Sequence, residues 1–526
     1  MMDGIFEYTD ISADSIIKTQ VCIIGSGCGG ATLAKKLTDA GIDVVVLERG
    51  GYYPAGKMDQ RELNMAGKIS QERNLKTSHD GGNVVAGGNN IGGASVHYWA
   101  DSYRTPQFKL DEWANDFGVI GHNTADLKPA FDEIEQSLNI HAATDEYFNR
   151  MNEIMRDVSK KLGWHGHRVP QARKYCLKSG HCMQGCMYDA KQSQVVTHLP
   201  TAIKQGAKVY ADAEAAKFVF EGDTVKSLIV DIIDRARNKP NGLKMVVHAD
   251  QFVVAAGGFN TPFFLMQQGL KEQLPELGKN LSMNPSSVVH GIYDEKIILW
   301  RNIPAAYGVD EFLEKRYKNN QYQEGGYILM ANQIQPALLA TFTPGFGEVH
   351  QEVMANMSQV GGTISWIDDI PAELGEIQMG DDGTKTIFYE YGPLTQAVLK
   401  DSLTKQITLQ FAAGAKKVII AGHQGITFNS IDELAKLDEL IIKAGGLFLA
   451  SPHPGGGCRM GSDASNSVVD SNHKIHGLSN VYVADSSVFP TSSALDPSLT
   501  IMAFSYMAAK SIVAARAQVV DNVDSF

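Results

Sequence analysis

The sequence predicts an α/β fold, a parallel-sheet nucleotide-binding domain interrupted by a second, α+β domain, and three observations carry that reading. An apolar strand, Val21-Cys22-Ile23-Ile24, runs straight into Gly25-Ser26-Gly27-Cys28-Gly29-Gly30 and then into a helix with apolar positions at Leu33 and Leu37. A second apolar strand, Asp43-Val44-Val45-Val46-Leu47, ends in Glu48, twenty-three residues after Gly25. More than four hundred residues later, Asn480-Val481-Tyr482-Val483-Ala484-Asp485 reads as another buried strand that delivers an acid.

The first element has a mechanical explanation. A strand followed at once by G-x-G-x-x-G (Gly25, Gly27, Gly30) and a helix is the dinucleotide fingerprint of Rossmann-type domains. Gly25 permits the tight turn, Gly27 lets the backbone approach a pyrophosphate, and Gly30 lets the helix pack closely on the strand. The free N–H groups and positive end of that helix then hold the phosphates. Glu48 stands where the fold needs a carboxylate for ribose hydroxyls, and an acid there argues against a 2′-phosphate.

Size and composition narrow the class. The chain has 526 residues, enough for two or three domains, and its 44% hydrophobic content is that of a soluble globular protein. A net charge of −12 leaves no basic footprint, so nucleic acid is excluded as an expected partner. Met1-Met2-Asp3-Gly4-Ile5-Phe6-Glu7 shows no signal-peptide pattern, and no stretch of eighteen apolar residues is evident, the most apolar being 327–342. A cytoplasmic enzyme without a transmembrane segment is the expectation. Along the chain, 17–50 reads as a βαβ unit and 107–165 as mostly helical. Strands are expected over 207–233 and 246–256, a mixed region over 285–445, and strand, loop and long apolar helix over 477–515.

Four segments together resemble the glucose–methanol–choline family of FAD-dependent oxidoreductases. They are the fingerprint; Gly87-Gly88-Asn89-Asn90-Ile91-Gly92-Gly93-Ala94-Ser95-Val96-His97-Tyr98; Val253-Val254-Ala255-Ala256-Gly257-Gly258-Phe259-Asn260-Thr261-Pro262; and the block from 451 to 503 with Ser451-Pro452-His453-Pro454-Gly455-Gly456 and Asp496-Pro497-Ser498. The resemblance implies FAD lying extended, its adenine end near Glu48 and its ring near Gly92, Gly93, Ser95, His97 and His453. Ala256, Asp485, Pro497 and Ser498 are expected to approach it as well. It also implies an FAD-binding domain from 1–106, 190–285 and 446–526, and a substrate-binding cap from 107–189 and 286–445. In choline- and pyranose-oxidising relatives a histidine at the position of His97 is bonded covalently to the flavin; other relatives hold it without a bond.

Members of this family oxidise an alcohol by removing its hydroxyl proton while a hydride leaves carbon for the flavin. Histidine suits the proton's acceptor, because its ordinary pKa lies near working pH, and His453 stands where the family keeps its active-site histidine. Relatives carry Asn or His at the partner position, where this chain has Asp496. Asp then Pro before an apolar run is also a good helix start, with Asp as N-cap and Pro at the first helical position. Three roles are therefore open for Asp496: a helix cap, an orienting partner that favours the imidazolium of His453, or the proton acceptor itself.

Cys176, Cys182 and Cys186 place three thiols in one loop at C-x5-C-x3-C spacing. Sterol- and long-chain-alcohol-oxidising members carry a four-cysteine version, whereas bacterial FAD-dependent glucose dehydrogenases hold a [3Fe-4S] cluster with three. Reduced structural thiols are the alternative. The substrate expected is a small-molecule alcohol, sterol or sugar. A cluster would imply an electron-transfer partner subunit; without one, oxygen or a soluble acceptor serves. The competing functional readings are a flavoprotein whose chemistry Asp496 redirects toward isomerisation or elimination, and an FAD subunit of an electron-transfer complex. The cap contains apolar groups (Tyr327, Leu329, Leu338, Phe342) alongside many polar and glycine positions, so sterol, fatty alcohol and sugar all remain open.

Overall fold

The structure, a computed structural model of the chain, describes residues 4–422, 424–447 and 449–523. The outermost residues of the expected nucleotide-binding segments, 1–3 and 524–526, and positions 423 and 448 lie outside the described residues. So does part of the N-terminal stretch read for a signal sequence.

The βαβ unit forms as expected, with Ser15–Ile24, a helix over Cys28–Asp39, and Val44–Leu47. It sits in a sheet ordered Ile5–Phe6, Lys208–Tyr210, Val44–Leu47, Ser15–Ile24, Lys239–Val254, Thr224–Asp234 and Ala213–Glu221. Val481–Val483 pairs with the far end of Lys239–Val254. The strands from Ile5–Phe6 to Lys239–Val254, and Val481–Val483, run parallel, whereas Thr224–Asp234 and Ala213–Glu221 return antiparallel. The register is what matters for function. Ile24 pairs with Leu47 and with Val254, and Val254 pairs with Val483. Four strands far apart in sequence therefore end in one row, which delivers Gly25, Glu48, Ala255 and Asp485 to one edge. Ligands in such sheets bind beyond the carboxyl ends of the strands.

The second sheet is antiparallel through Thr427–Phe428, Lys417–Ile420, Ser286–Ile292, Val360–Ile367, Tyr327–Ala331, Tyr307–Val309 and His167–Arg168. Helix Pro393–Ala412 covers one face. The other face turns toward the first domain. Its central strands are buried on both sides, which is why the sequence there lacks clean alternation.

Packing changes three expectations. Helices Gln107–Phe117 and Thr124–Ser137, assigned above to the cap, bury Leu110, Trp113 and Phe131 in the core of the nucleotide-binding domain. Trp113 stacks on Phe489 at 5.1 Å and meets Phe504 edge-on at 5.7 Å. Conversely, Asn83–Val85 and Leu449–Ser451, from segments assigned to the nucleotide-binding domain, pair with each other and join the second sheet. The stretch Ser498–Gln518 is long and apolar enough to cross a membrane by composition, which corrects the expectation that no such segment exists. Its apolar surface packs on Cys28–Asp39 and Thr124–Ser137, and a helix enclosed in this way is apolar on most sides.

A buried charge cluster bridges the two domains. Lys109 is fully buried and lies 3.0 Å from Asp368 at the end of the cap strand Val360–Ile367, while Lys315 meets the same carboxylate at 2.6 Å. Burial alone would raise Asp368; the two ammonium groups overcome it and hold the carboxyl at about 2. Removing one partner of a buried pair costs about 3–5 kcal/mol, so Lys109→Met is expected to lower the melting temperature sharply at neutral pH. A carboxyl held below its unfolded value of 3.8 contributes stability above that value and loses it as pH falls toward about 2. Thermal unfolding between pH 7 and pH 2.5 should therefore show the gap between variant and parent narrowing in acid.

Candidate active site and cofactor cradle

The row of strand ends opens onto an elongated cavity of about 570 Å³. It runs from Glu48 and Arg49, past Gly25, Gly27 and the 86–94 loop, to Pro452, His453, Pro454, Asp485, Pro497 and Ile501. The glycine turn fits by close approach. Gly25 has φ 106°, and a Cβ there would lie 2.2 Å from the Ala255 carbonyl oxygen. A Cβ on Gly30 would fall 1.9 Å from the Gly25 oxygen, and one on Gly29, which the fingerprint does not assign, 1.9 Å from the Ala484 oxygen. Gly27 meets nothing nearer than 3.9 Å and is open for a ligand to approach.

Glu48 is buried, and burial raises its carboxyl. It accepts hydrogen bonds from the Ser26 amide (3.1 Å), the Ser26 hydroxyl (2.7 Å) and the Gly50 amide (2.8 Å) while lining the cavity. Asp485 is saturated by four donors: the Gly257 and Ser487 amides at 2.8 Å and the Thr261 and Ser487 hydroxyls at 2.5 Å. It caps the turn at Ser486–Val488 and still lines the cavity beside Ala256. Gly93 seats against Gly27, and Ser26 Oγ accepts from the Gly92 amide. Ser95 closes its own loop instead of facing the cavity: its hydroxyl donates to the Gly92 carbonyl at 2.6 Å and accepts from the Gln194 amide. Ser498 likewise donates to the Asp101 carbonyl and is absent from the cavity wall, whereas Pro497 lines it.

His97, expected near the ring, is also absent from the cavity wall; it is buried with Nε2 unpartnered, and burial together with Lys191 depresses it to about 4. The charges on the wall fit an anionic dinucleotide. Lys76 and Lys385 line the cavity along with Arg49. Lys385, reaching in from the hairpin Glu376–Phe388, is depressed to about 8 by burial and by Lys76. A phosphate there would relieve both charges, and the residues present fit FAD.

At the far end, His453 Nδ1 is 2.7 Å from Asn284 Oδ1. The Asn284 amide nitrogen donates to the Ile367 carbonyl, so its oxygen faces the ring and accepts Nδ1–H. Asn284 is itself held by Asp369, which accepts the Met283 and Asn284 amides and the Tyr389 hydroxyl. The other ring nitrogen, His453 Nε2, faces Asp496 Oδ1 at 3.3 Å. The Asp496 side chain points at the imidazole, and its Oδ2 is buried and unpartnered. Trp366 lies 4.7 Å from the His453 ring. It belongs to an apolar wall with Ile328, Met330, Ile364, Leu495 and Trp99.

Sequence reasoning missed Asn284, Trp366 and Lys385, which lie 169, 87 and 68 residues from His453 and carry no motif. In strand Tyr327–Ala331, Tyr327 and Leu329 enter the core of the cap, while Ile328 and Met330 join the buried cluster of Trp366, as the alternation of a strand requires. Leu338 packs against the cap core, and Phe342 packs on both clusters.

The thiol loop does not form a metal centre. Among the described residues no group of three His, Cys, Asp or Glu side chains is placed to hold a metal ion. Cys176, Cys182 and Cys186 border a space of about 10 Å³ with Arg173 and Lys191, room for about one water and too little for an iron–sulfur cluster. Buried cations occupy the loop instead. Arg173 donates to Cys182 Sγ at 3.4 Å, and Lys191 Nζ donates to the carbonyls of Val96, Tyr98 and Cys182.

A doubly wound dinucleotide domain with a buried imidazole at the end of its cradle defines an oxidoreductase of the flavoprotein class. The family model for GMC oxidoreductase matches its N-terminal part at 23–286 and its C-terminal part at 406–505, so the chain belongs to the GMC oxidoreductase family. An uncharacterized GMC-type oxidoreductase of Mycobacterium tuberculosis is 27% identical over 96% of this chain and 77% of its own. A long-chain-alcohol oxidase of Arabidopsis thaliana is 26% identical over 94% of this chain and 67% of its own. The crystal structure of pyridoxine 4-oxidase from Mesorbium loti shares the fold, with a TM-score of 0.69 and 16% identity over 94% of this chain and 98% of that one.

If Lys385 faces bound phosphate, Lys385→Gln should weaken FAD uptake by about tenfold, the scale of one charge-assisted hydrogen bond. Fluorescence titration of apoprotein with FAD reads this, and the difference should shrink at pH 9, where the parent lysine is largely neutral.

Proposed function

We propose that the protein is an FAD-dependent oxidoreductase that oxidises a CH–OH group, with His453 as the group that takes the hydroxyl proton. The observation that carries the reading is the His453–Asn284 contact. By accepting Nδ1–H, Asn284 fixes the ring so that Nε2 is the nitrogen left to exchange a proton, at the end of the elongated cavity. When bound, FAD supplies a two-electron hydride acceptor. The cradle residues proposed to hold it are Gly25, Gly27, Gly30, Glu48, Gly92, Gly93, Ala256, Asp485 and Pro497, with Lys76 and Lys385 as added counter-charges.

The protein's own contribution is binding, orientation and proton handling. Trp366, against the His453 ring and backed by Ile328 and Met330, would bound the body of the alcohol and exclude water, which strengthens polar contacts at the reacting end. The alcohol's O–H proton passes to His453 Nε2 as its C–H bond gives up the hydride and the carbonyl forms. Asp496 Oδ1 stabilises the resulting imidazolium at 3.3 Å. This reading gives Asp496 an orienting role and leaves the lone pair of Nε2 as the primary acceptor. The apolar wall favours an alcohol with an apolar body, in keeping with relatives named as long-chain-alcohol oxidases.

Anaerobic mixing with 1-dodecanol, benzyl alcohol, cholesterol, pyridoxine and glucose should bleach the flavin with at least one of the first three. With that alcohol, His453→Ala should slow flavin reduction by about 10²–10⁴-fold, the range for a lost general base. Asp496→Asn, which keeps the shape and removes the charge, should slow it far less. Equal losses in the two variants would make Asp496 the essential base.

A further inference from the structure

One face of His453 lines the cradle, which the cofactor would fill, and its Nε2 side meets the buried Asp496, behind which lie further polar groups that lead to the surface. Trp99, Asp101 and Tyr103 line one side of the segment that follows the flavin loop. Trp99 and Tyr103 belong to the apolar wall beside His453, whereas the intervening Ala100 is buried in the opposite core. Asp101 is 1% exposed. Its Oδ1 accepts from the Gln171 amide at 2.6 Å, while its Oδ2, like Asp496 Oδ2, is buried and unpartnered.

Beyond them the route is continuous. The Tyr103 hydroxyl lies 3.2 Å from His167 Nε2, and His167 Nδ1 lies 3.2 Å from Asp310 Oδ2. Asp310 Oδ1 is 2.6 Å from Nδ1 of His165, whose side chain is 71% exposed. The orientation of each group suits outward transfer. His167 donates Nδ1–H to a carboxylate, so Nε2 is free to accept from Tyr103.

We propose that Asp496, Asp101, Tyr103, His167, Asp310 and His165 form a proton relay joining His453 to solvent, with water closing the gap among the unpartnered carboxylate oxygens and the Tyr103 hydroxyl. It rests on the CH–OH reading above. The balance is simple: O–H and C–H bonds of the alcohol break, the carbonyl forms, the hydride reduces the flavin, and the proton goes from His453 Nε2 through the relay to bulk water. Tyr103 passes its own proton to His167 as it receives another, so no tyrosinate persists. Burial, Asp101, Asp496 and Asp310 all push its hydroxyl well above the usual range, which enforces the concerted hop. Asp101, raised by burial and by Asp496 but facing Gln171 and Arg173, holds a proton readily. Asp310, opposed by burial, is kept low by its bonds to His167 and His165 and serves as the outer acceptor. Glu311 and Arg316 pair with each other at the exit.

The relay is tested in holoenzyme with the alcohol that bleaches the flavin fastest in the panel above and a dye acceptor. His167→Gln and Tyr103→Phe are expected to lower steady-state turnover by about tenfold, to raise the solvent deuterium isotope effect, and to recover on adding imidazole, which carries protons from solvent. Tyr103→Phe keeps the ring packing should His167→Gln fail to fold. Turnover, isotope effect and imidazole response matching the parent in both variants would overturn the relay. So would a loss of turnover that imidazole does not relieve, which marks a structural role. If no alcohol bleaches the parent's flavin, the CH–OH reading fails and the relay with it; bleaching with an unaltered isotope effect defeats the relay alone.

Discussion

The contact on which the site depends is backbone against backbone: the first glycine turn packed on Ala255 and Ala484 with no room for a side chain. Because Ile24, Val254 and Val483 sit in register, the turn after each strand opens at the same height. A one-residue slip of Val481–Val483 would turn every side chain to the other face and carry Asp485 away from the Gly257 amide and Thr261. The C-terminal segment then turns from Asp485 into the core through Val488 and Phe489 and returns to the cavity wall at Pro497. The position of Asp496 opposite His453 is thus inherited from sheet register set hundreds of residues earlier.

What could be read in the sequence follows from this. The fingerprint, the strands ending in Glu48 and Asp485, and His453 were legible because each is a local pattern whose geometry is fixed by neighbours in the chain. Asn284 was not, because its side chain is aimed by the bond to Ile367 and by Asp369, both supplied across the cap sheet. The domain boundary at 107 was misjudged for a related reason. A helix's periodicity shows that it has an apolar face but not which core receives it, and Trp113 happens to find Phe489 and Phe504. At Asp496-Pro497 the local grammar of a helix start shows nothing of the contact with His453, which only the tertiary fold supplies.

The thiol loop illustrates how charge decides between two readings of one motif. Spacing alone brings three sulfurs together. What the sequence could not show is that Arg173 and Lys191 are buried among them and already engaged, Lys191 by three carbonyls and Arg173 by Cys182, Gln171 and Trp99. Burial lowers Lys191 to about 8 while the nearby sulfurs work to raise it. The loop therefore acts as a brace. By tying the carbonyls of Val96, Tyr98 and Trp99, it fixes the segment that carries His97 on one side and Asp101 on the other.

That brace has a consequence for how the reaction is divided. On the proposed reading, the hydride and the proton of the substrate part company, the hydride entering the cradle and the proton going to water. In this fold the two directions diverge at the 93–103 segment. Its glycine end faces the cradle, and its Asp101–Tyr103 end faces the polar route toward His167. On that reading an imidazolium left at His453 would hold the next substrate's proton in place, and Asp496, the position where this chain departs from its relatives, has a physical reason to be there. With the buried Asp101 it gives the proton somewhere to go on the side of His453 away from the cradle.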